Sequence, residues 1–91
     1  MKDIKAKFDN EKLQYPGEVF MFEMGDFYEL FFDDAEFASK ALGLTLTSRN
    51  RSEDNRIPMV GFPRHQRDGY VSKLLRLGKA VRIYDAAFNA I

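Results

Sequence analysis

An aromatic ring and a carboxylate lie two residues apart in this chain, at Phe27 and Glu29, directly after the dipeptide Gly25-Asp26. The residues around them favour β-strands, in which alternate side chains project from one face about 6.6 Å apart. Gly25-Asp26 is typical of a tight turn, and a glycine there lets a partner approach the backbone closely. The pattern predicts that the ring and the carboxylate project together beside this turn. The alternative is that Phe27 fills the core, as most of the nine phenylalanines must.

The sequence contains no pattern that is typical of a catalytic site or a metal site. The chain has no Cys and a single His, His65, so neither a thiolate site nor a paired-His metal site is expected. Four acids lie close together but lack the Glu-x-Lys of a nuclease metal site: Asp26, Glu29, Asp33 and Asp34. Gly78-Lys79 lacks the upstream glycine of a phosphate-binding loop, and no Ser-His-Asp or Cys-His set is credible. We therefore expect no enzyme activity, metal, cofactor or small-molecule substrate.

The elements that must position these residues follow the order α-β-β-α-β-β-α-β. Hydrophobic periodicity and turn signals predict helices over residues 1–15, 33–42 and 63–77, and strands over residues 18–24, 27–32, 44–47, 57–62 and 80–84. Residues 48–56 form a polar loop. The fold class predicted is α+β, a mixed sheet of about five strands with helices packed on it.

Helix ends and inward-facing residues can also be predicted. Asp33 or Asp34 should cap the second helix, with Glu36 completing a capping box. Gly43 should end that helix, and Pro58 is typical of an edge strand. The side chains expected to face the core are Ile4, Phe8, Leu13, Ala35, Ala38, Ala41, Leu42, Tyr70, Val71, Leu74, Leu75, Leu77, Val81 and Ile83.

The length of 91 residues predicts one domain, residues 1–91, with a core over roughly residues 12–84. No segment approaches the roughly 18 apolar residues of a membrane span. The charged N-terminus lacks the apolar stretch of a secretory signal, so a cytoplasmic protein is expected.

Charge is balanced overall but unevenly distributed. Fourteen basic and fourteen acidic residues give a net charge of zero, which predicts weak binding to ordinary duplex DNA. Residues 49–82 nevertheless hold nine of the cations and only three acids, whereas acids collect in residues 18–36. We therefore expect one side of the domain to be basic although the net charge of the chain is zero.

The run Phe22–Phe31, FEMGDFYELF, resembles the signature of MutS domain I, the N-terminal mismatch-recognition domain of a family of DNA repair proteins. That family carries a Gly-Asp-Phe-Tyr-Glu core followed by an acidic helix start, which Asp33-Asp34-Ala35 supplies here. The similarity continues in order and with similar spacing through Leu44-Thr45-Leu46-Thr47, Ile57-Pro58-Met59, Gly61, Pro63, His65, Gly69-Tyr70, Lys73-Leu74 and Gly78.

The resemblance implies a module that reads mispaired DNA from the minor groove. In the family, the Phe of Phe-x-Glu wedges into the duplex and stacks on the mispaired base, while the Glu makes a hydrogen bond to it. On this chain those roles fall to Phe27 and Glu29. A protonated Glu29 could donate that bond and an ionised one could only accept it, and the sequence leaves both open.

Further DNA-binding candidates surround this pair. Gly25 and Asp26 form the turn beside it, and the family places Met59 next to the wedge, although plain core packing is an equal alternative. Arg49 follows the third predicted strand, where it could meet a phosphate or simply be solvated. The implied partners are mismatched or kinked double-stranded DNA and other repair proteins, with no membrane partner. ATP binding belongs to domains of the family that this sequence lacks.

Three features depart from the family pattern. Glu23 replaces a residue that is usually basic or polar, Arg64 replaces an aromatic, and Tyr84-Asp85-Ala86 replaces Cys-Glu-Gln. An acid at position 23 would weaken DNA binding if it faced the phosphates. Together with the zero net charge, it keeps an alternative open: a free-standing protein-interaction module that has the fold without mismatch recognition.

Overall fold

The computed structural model describes residues 4–48 and 56–91. In order, they form α1 (Ile4–Gln14), β1 (Glu18–Met24), β2 (Phe27–Phe31), α2 (Phe32–Leu42), β3 (Thr47–Ser48), β4 (Pro58–Pro63), a 3-10 turn (Arg64–Gln66), α3 (Arg67–Arg76) and β5 (Ala80–Tyr84). The strands build one mixed sheet in the order β3-β4-β2-β1-β5. The predicted α+β class and five-stranded mixed sheet are confirmed, and the predicted bounds of β1 and β5 agree with the structure.

The β1–β2 hairpin lies at the centre of the sheet. β1 pairs antiparallel with β2, and β2 pairs antiparallel with β4. β5 returns parallel to β1 on the other side, after the chain has passed through α2, β3, β4 and α3. The turn that joins β1 to β2 is therefore held between two central strands, and the residues that follow it are fixed in register.

The two faces of the sheet are covered unequally. α2 packs against β2 and β4 and α3 against β5, closing the first face over a cluster of Val19, Met21, Tyr28, Leu30, Ala35, Ala38, Val60, Phe62 and Leu74. The second face carries a mainly aromatic cluster of Ile4, Phe8, Phe20, Phe22, Phe31 and Tyr84. There α1 packs on β1 through Phe8, whose ring lies 5.4 Å from that of Phe20.

A buried ion pair joins α1 to the sheet and to α2. Lys12 Nζ lies 2.9 Å from Oδ2 of Asp34, which is only 7% exposed, and the Phe20 amide donates to the same oxygen at 3.0 Å. The ammonium also donates to the carbonyl of Glu18 and lies 4.1 Å from the Phe20 ring centroid. Burial raises the pKa of Asp34 above its ordinary value, although the bonds from Phe20 and Lys12 act in the opposite direction.

The predicted cap of α2 is wrong. Phe31 holds the N-cap position and its side chain has no oxygen that could make a cap bond, while Asp34 lies inside the helix and pairs with Lys12. β2 passes directly into α2 at Phe32, which adopts a left-handed φ of 56° and packs its ring 4.9 Å from Phe8. The predicted end of the helix is confirmed, since Gly43 has a φ of 69°.

Several side chains predicted to face the core are exposed instead: Leu13, Ala41, Leu75 and Leu77. In α1 the inward positions are Ile4, Phe8 and then Lys12, so Leu13 points to solvent at 82% exposure. In α3 the inward stripe passes through Leu74, and the helix ends at Arg76. Leu77 has the right spacing from Leu74 but follows the end of the helix, and Leu75, one residue after Leu74, is 56% exposed.

The strands beside the 48–56 segment also differ from prediction. β3 spans Thr47–Ser48 rather than residues 44–47, and it pairs with Met59 and Pro58. β4 is therefore second from the edge and not an edge strand, although Pro58 lies at its first position, where a missing amide is tolerated. Residues 49–55 of the predicted polar loop lie outside the described residues.

The segment after β5, to which the sequence assigned no structure, folds back on the sheet. The Asp85 side chain accepts hydrogen bonds from the backbone amides of Ala87 and Asn89, at 2.8 and 3.0 Å, which close a turn. Ala90 then pairs antiparallel with Tyr84. The Phe88 ring packs 5.0 Å from that of Phe22, so this segment helps α1 to cover the second face.

We predict that Lys12→Met lowers the free energy of unfolding by about 3–5 kcal/mol at neutral pH, because it leaves a buried carboxylate unpaired. A raised pKa means that the folded state holds the Asp34 proton more tightly than the unfolded state does. The ionised carboxylate therefore costs stability at neutral pH, and the deficit of the variant should shrink as the pH falls and Asp34 is protonated. Chemical denaturation at neutral and mildly acidic pH measures both effects.

Asp34→Asn in the same background provides the control. The double variant should recover most of the lost stability at neutral pH, because no buried charge remains. If it is no more stable than Lys12→Met alone, the unpaired carboxylate is not the cause.

Candidate functional site

The exposed part of the second sheet face begins where β2 leaves the turn. Phe27 is 48% exposed and Glu29 is half-buried, whereas Tyr28 between them is 1% exposed and faces the first cluster. All nine phenylalanines lie in the described residues, and Phe27 is the only exposed one. The ring and the carboxylate therefore share one face, and the structure does not place Phe27 in the core.

Gly61 forms an open floor between these two side chains. It pairs with Glu29 in the β2–β4 register, and a methyl group at its Cα would lie 3.7 Å from Glu29 Cγ and 3.9 Å from Phe27 Cδ2. Both are ordinary van der Waals distances, so the protein itself would tolerate a side chain there. The glycine is exposed, and its lack of a side chain leaves the backbone open to a flat ligand. The sequence contained a signal for this, an isolated glycine inside a strand.

The turn beside Phe27 is tight and is hydrogen-bonded to the end of β4. Gly25 adopts a φ of 59°, and both Gly25 and Asp26 are exposed. The Arg64 amide donates to the carbonyl of Asp26 at 2.8 Å, linking the turn to the end of β4. Phe27 pairs with Met24 in the β1–β2 register, so Phe27 follows the turn without any flexible connection.

The other two DNA-binding candidates do not join this group. Met59 pairs with Phe31 and packs partly buried against the second cluster, which places it two register positions beyond Gly61 and favours the packing role. Arg49 lies outside the described residues, as does Arg51 of the same loop. Arg56, at the boundary of the described region, is exposed.

Glu23 and Arg64, the two departures that carry opposite charges, contact each other. Arg64 Nη1 lies 2.7 Å from Glu23 Oε2. Glu23 pairs with Tyr28 in the β1–β2 register, and the Tyr28 hydroxyl donates to Glu23 Oε2 at 3.2 Å. The carboxylate therefore lies on the opposite face from Phe27, and its charge is neutralised by Arg64. Neither partner was identified from sequence as a site residue, because the two are far apart along the chain.

The cations of residues 49–82 are divided between the faces. Arg67, Lys73 and Arg76 belong to α3, which covers the first face and not the one that carries Phe27. Arg82 is paired with Glu18 at 3.2 Å and stacks on Tyr15. The predicted basic side is therefore not a single surface around the ring, as far as the described residues extend.

Two general features of the described chain bear on function. Residues 4–48 and 56–91 contain no group of three His, Asp or Glu side chains placed to hold a metal ion. Among the described helices, none is both long and apolar enough to cross a lipid bilayer.

Comparison with known proteins places the chain in one family. Residues 4–90 match MutS domain I. The DNA mismatch repair protein MutS of Desulfatibacillum aliphaticivorans is 51% identical over 74 residues, 81% of this chain and 8% of the relative. The MutS proteins of Fusobacterium nucleatum and Solibacter usitatus are 50% and 45% identical over 90% and 96% of the chain, and over 9% and 10% of their own lengths. The chain thus spans a tenth or less of these relatives.

We predict opposite effects on stability for two glycine substitutions. Gly61→Ala should leave the free energy of unfolding unchanged or raise it by up to about 1 kcal/mol, because its φ suits any residue and the methyl group fits. Gly25→Ala should cost about 1–2 kcal/mol, since alanine is strained at a left-handed φ. Urea denaturation of the two variants tests this, and a loss of more than 1 kcal/mol for Gly61→Ala would show that the floor is already filled.

Proposed function

The chain belongs to the MutS domain I family, and from this we propose that it binds mismatched or distorted duplex DNA in DNA mismatch repair. In this proposal Phe27 wedges into the minor groove and Glu29 contacts the mispaired base. The observation that carries it is the exposure of Phe27, alone among the nine phenylalanines, beside a carboxylate and over an open glycine floor.

The physical basis of recognition is the cost of opening a base step. Inserting an apolar ring between base pairs unstacks them, which costs a few kcal/mol and kinks the duplex. The cost is smaller where pairing is already broken, so a rigid ring discriminates by deformability rather than by sequence. Gly61 supports this use of Phe27, since a flat base edge or sugar can come close to the strand between the ring and Glu29.

The electrostatics support modest affinity for DNA. The net charge is zero, and the α3 cations lie over the opposite face, so the described residues offer few cations to neutralise phosphates around Phe27. Pairing of Glu23 with Arg64 removes one source of repulsion, because the acid is turned away and compensated. We propose that the mispair contact sets selectivity, and that the rest of a full-length MutS protein supplies most of the affinity and the ATP binding.

A second candidate is an interaction module for a protein partner. Leu75 and Leu77 are 56% and 55% exposed near the end of α3, and the neutral surface favours a protein over DNA. These leucines lie in α3 and just after it, however, and α3 covers the face opposite to Phe27, so such a contact would leave the ring and Gly61 without a role. The two candidates separate in a titration with mismatched and paired duplexes at low salt.

The proposal contains no catalytic step, and it requires neither a metal nor a cofactor. Phe27 has no group for acid–base or nucleophilic chemistry, and Glu29 acts by hydrogen bonding. A role in mismatch repair also fits the cytoplasmic location expected from sequence, and other repair proteins are the further partners to be expected.

We expect Phe27→Ala to weaken binding to mismatched DNA by about 1–3 kcal/mol, the usual contribution of one stacking contact, and to spare paired DNA. The melting temperature should hardly change, because the ring is exposed. Fluorescence anisotropy titrations of a mismatched duplex and its paired parent measure the change.

Leu75→Ala is the matched control for Phe27→Ala, as it removes a comparably exposed apolar side chain from the other face. It should leave both affinities unchanged. A large drop in melting temperature for Phe27→Ala, or an equal loss for the two variants, would contradict the wedge.

We predict that Glu29→Gln tightens binding to all DNA and reduces the preference for the mismatch. Gln keeps a donor and an acceptor for the base but removes the repulsion of a carboxylate by the phosphates. Glu36→Gln makes the same change of charge on an exposed position of α2, over the first face. Tightening of equal size in both variants would reveal a net-charge effect, and weaker binding by Glu29→Gln would show that the ionised form makes the contact.

A further inference from the structure

We propose that Arg64 and Glu23 act as a clamp that positions Phe27 for insertion, which extends the proposed function and rests on it. The clamp consists of one guanidinium and one carboxylate that together hold the β1–β2 turn to the end of β4. Neither residue lies on the face that carries the ring. Both would act through the backbone on either side of it.

Arg64 holds the turn at three points. Nη1 contacts Glu23 Oε2 at 2.7 Å, Nη2 donates to the Gly25 carbonyl at 2.5 Å, and the Arg64 amide donates to the Asp26 carbonyl at 2.8 Å. These three points are the last part of β1 and both residues of the turn. Because Phe27 comes next, a change in the turn would change the direction of its ring.

Tyr28 anchors the clamp to the core. Its hydroxyl donates to Glu23 Oε2 at 3.2 Å and accepts from Arg67 Nη1 at 3.1 Å. The Tyr28 ring is 1% exposed and stacks on Phe62, with ring centroids 6.0 Å apart. The Arg64 guanidinium lies 5.7 Å from the centroid of the Tyr28 ring, so the clamp and the anchor are in contact. Tyr28, the residue after Phe27, is thus held in place by its contacts on the first face of the sheet.

An inserted ring needs such support because the stacked base pairs resist being separated and exert a force on the ring. Phe27 lies at the first position of β2, next to a turn whose Gly25 is the least restricted residue type. Without the contacts of Arg64 and Glu23, the turn could move and Phe27 could shift away from the duplex instead of unstacking the bases. A ring that shifts in this way discriminates poorly between mispaired and paired base steps.

The test uses Glu23→Gln and Arg64→Gln, with Arg76→Gln as the control for loss of an exposed cation on α3. Without DNA, amide hydrogen exchange is measured at Arg64, whose N–H donates to Asp26. Both clamp variants should exchange there about two- to five-fold faster, the range expected for a partly exposed ion pair, while the amides of β5 keep the parent rate. Unchanged exchange at Arg64 would overturn the clamp.

With DNA, the quantity measured is the ratio of Kd for paired duplex to Kd for mismatched duplex. Both clamp variants should lower this ratio by about two- to five-fold, and Arg76→Gln should not. If Arg64→Gln instead weakens binding to both duplexes equally and lowers the salt slope by about 0.9, Arg64 binds a phosphate directly and the clamp is wrong. Tighter binding of both duplexes by Glu23→Gln with an unchanged ratio would also overturn it.

Failure of the clamp and failure of the proposed function give different results. A parent protein with no preference for mismatched DNA would refute the proposed function, and with it any role of the clamp in binding. The exchange rate at Arg64 would still decide whether the pair orders the turn. A parent with a clear preference that both variants retain would refute the clamp alone.

Discussion

The covering of the sheet depends on one buried carboxylate. Asp34 receives the Phe20 amide and the Lys12 ammonium, and so connects the strand that begins the hairpin to the helices on both faces. Desolvation works against this arrangement, as the raised pKa of Asp34 indicates. A buried carboxylate is tolerated while both of its partners are present, but it lowers the stability of the fold strongly when one partner is removed. The position of α1 is therefore fixed by pairing as much as by the two apolar side chains that it buries.

The position of α1 in turn determines which surface remains open. Because α1 and the C-terminal segment cover the aromatic cluster, the second face is closed over β1, β5 and the Phe31 end of β2, and it is open at the end of β2 that follows the turn. Phe27 and Glu29 lie on this uncovered part in β2, and Gly61 lies there in β4. One side of the sheet is thus a closed core and the other is divided between core and an exposed surface that carries Phe27. This division lets a small domain expose a large aromatic ring without losing its packing.

Local sequence predicted most of the strands and the common face of Phe27 and Glu29. The EVFMFEM run, the Gly25-Asp26 turn and the alternation after it are short-range signals, so β1, the turn and the common face of Phe27 and Glu29 could be predicted. Asp34 could not, because a capping acid and an acid that binds a lysine 22 residues away look alike in sequence. Arg64 and Glu23 were noted only as departures, since their contact depends on how β4 is placed beside the hairpin. The prediction for Leu77 is wrong because the pattern does not show that α3 ends at Arg76, and that for Leu75 is wrong because two adjacent leucines do not show which one is buried.

The backbone pairing after β5 has a consequence for self-association. A strand at the margin of a sheet presents unpaired amides and carbonyls that can recruit a strand from another molecule and start aggregation. Here Ala90 pairs with Tyr84, and the Ile91 amide donates to the Ile83 carbonyl at 2.8 Å, which occupies the outer side of this margin at its C-terminal end. By reversing the chain, the Asp85 turn thus helps to protect this end of the margin from pairing with another molecule. A change that opened this turn would expose the margin at Ile83 and Tyr84 to strands of other molecules, and it would also remove Phe88 from its contact with Phe22.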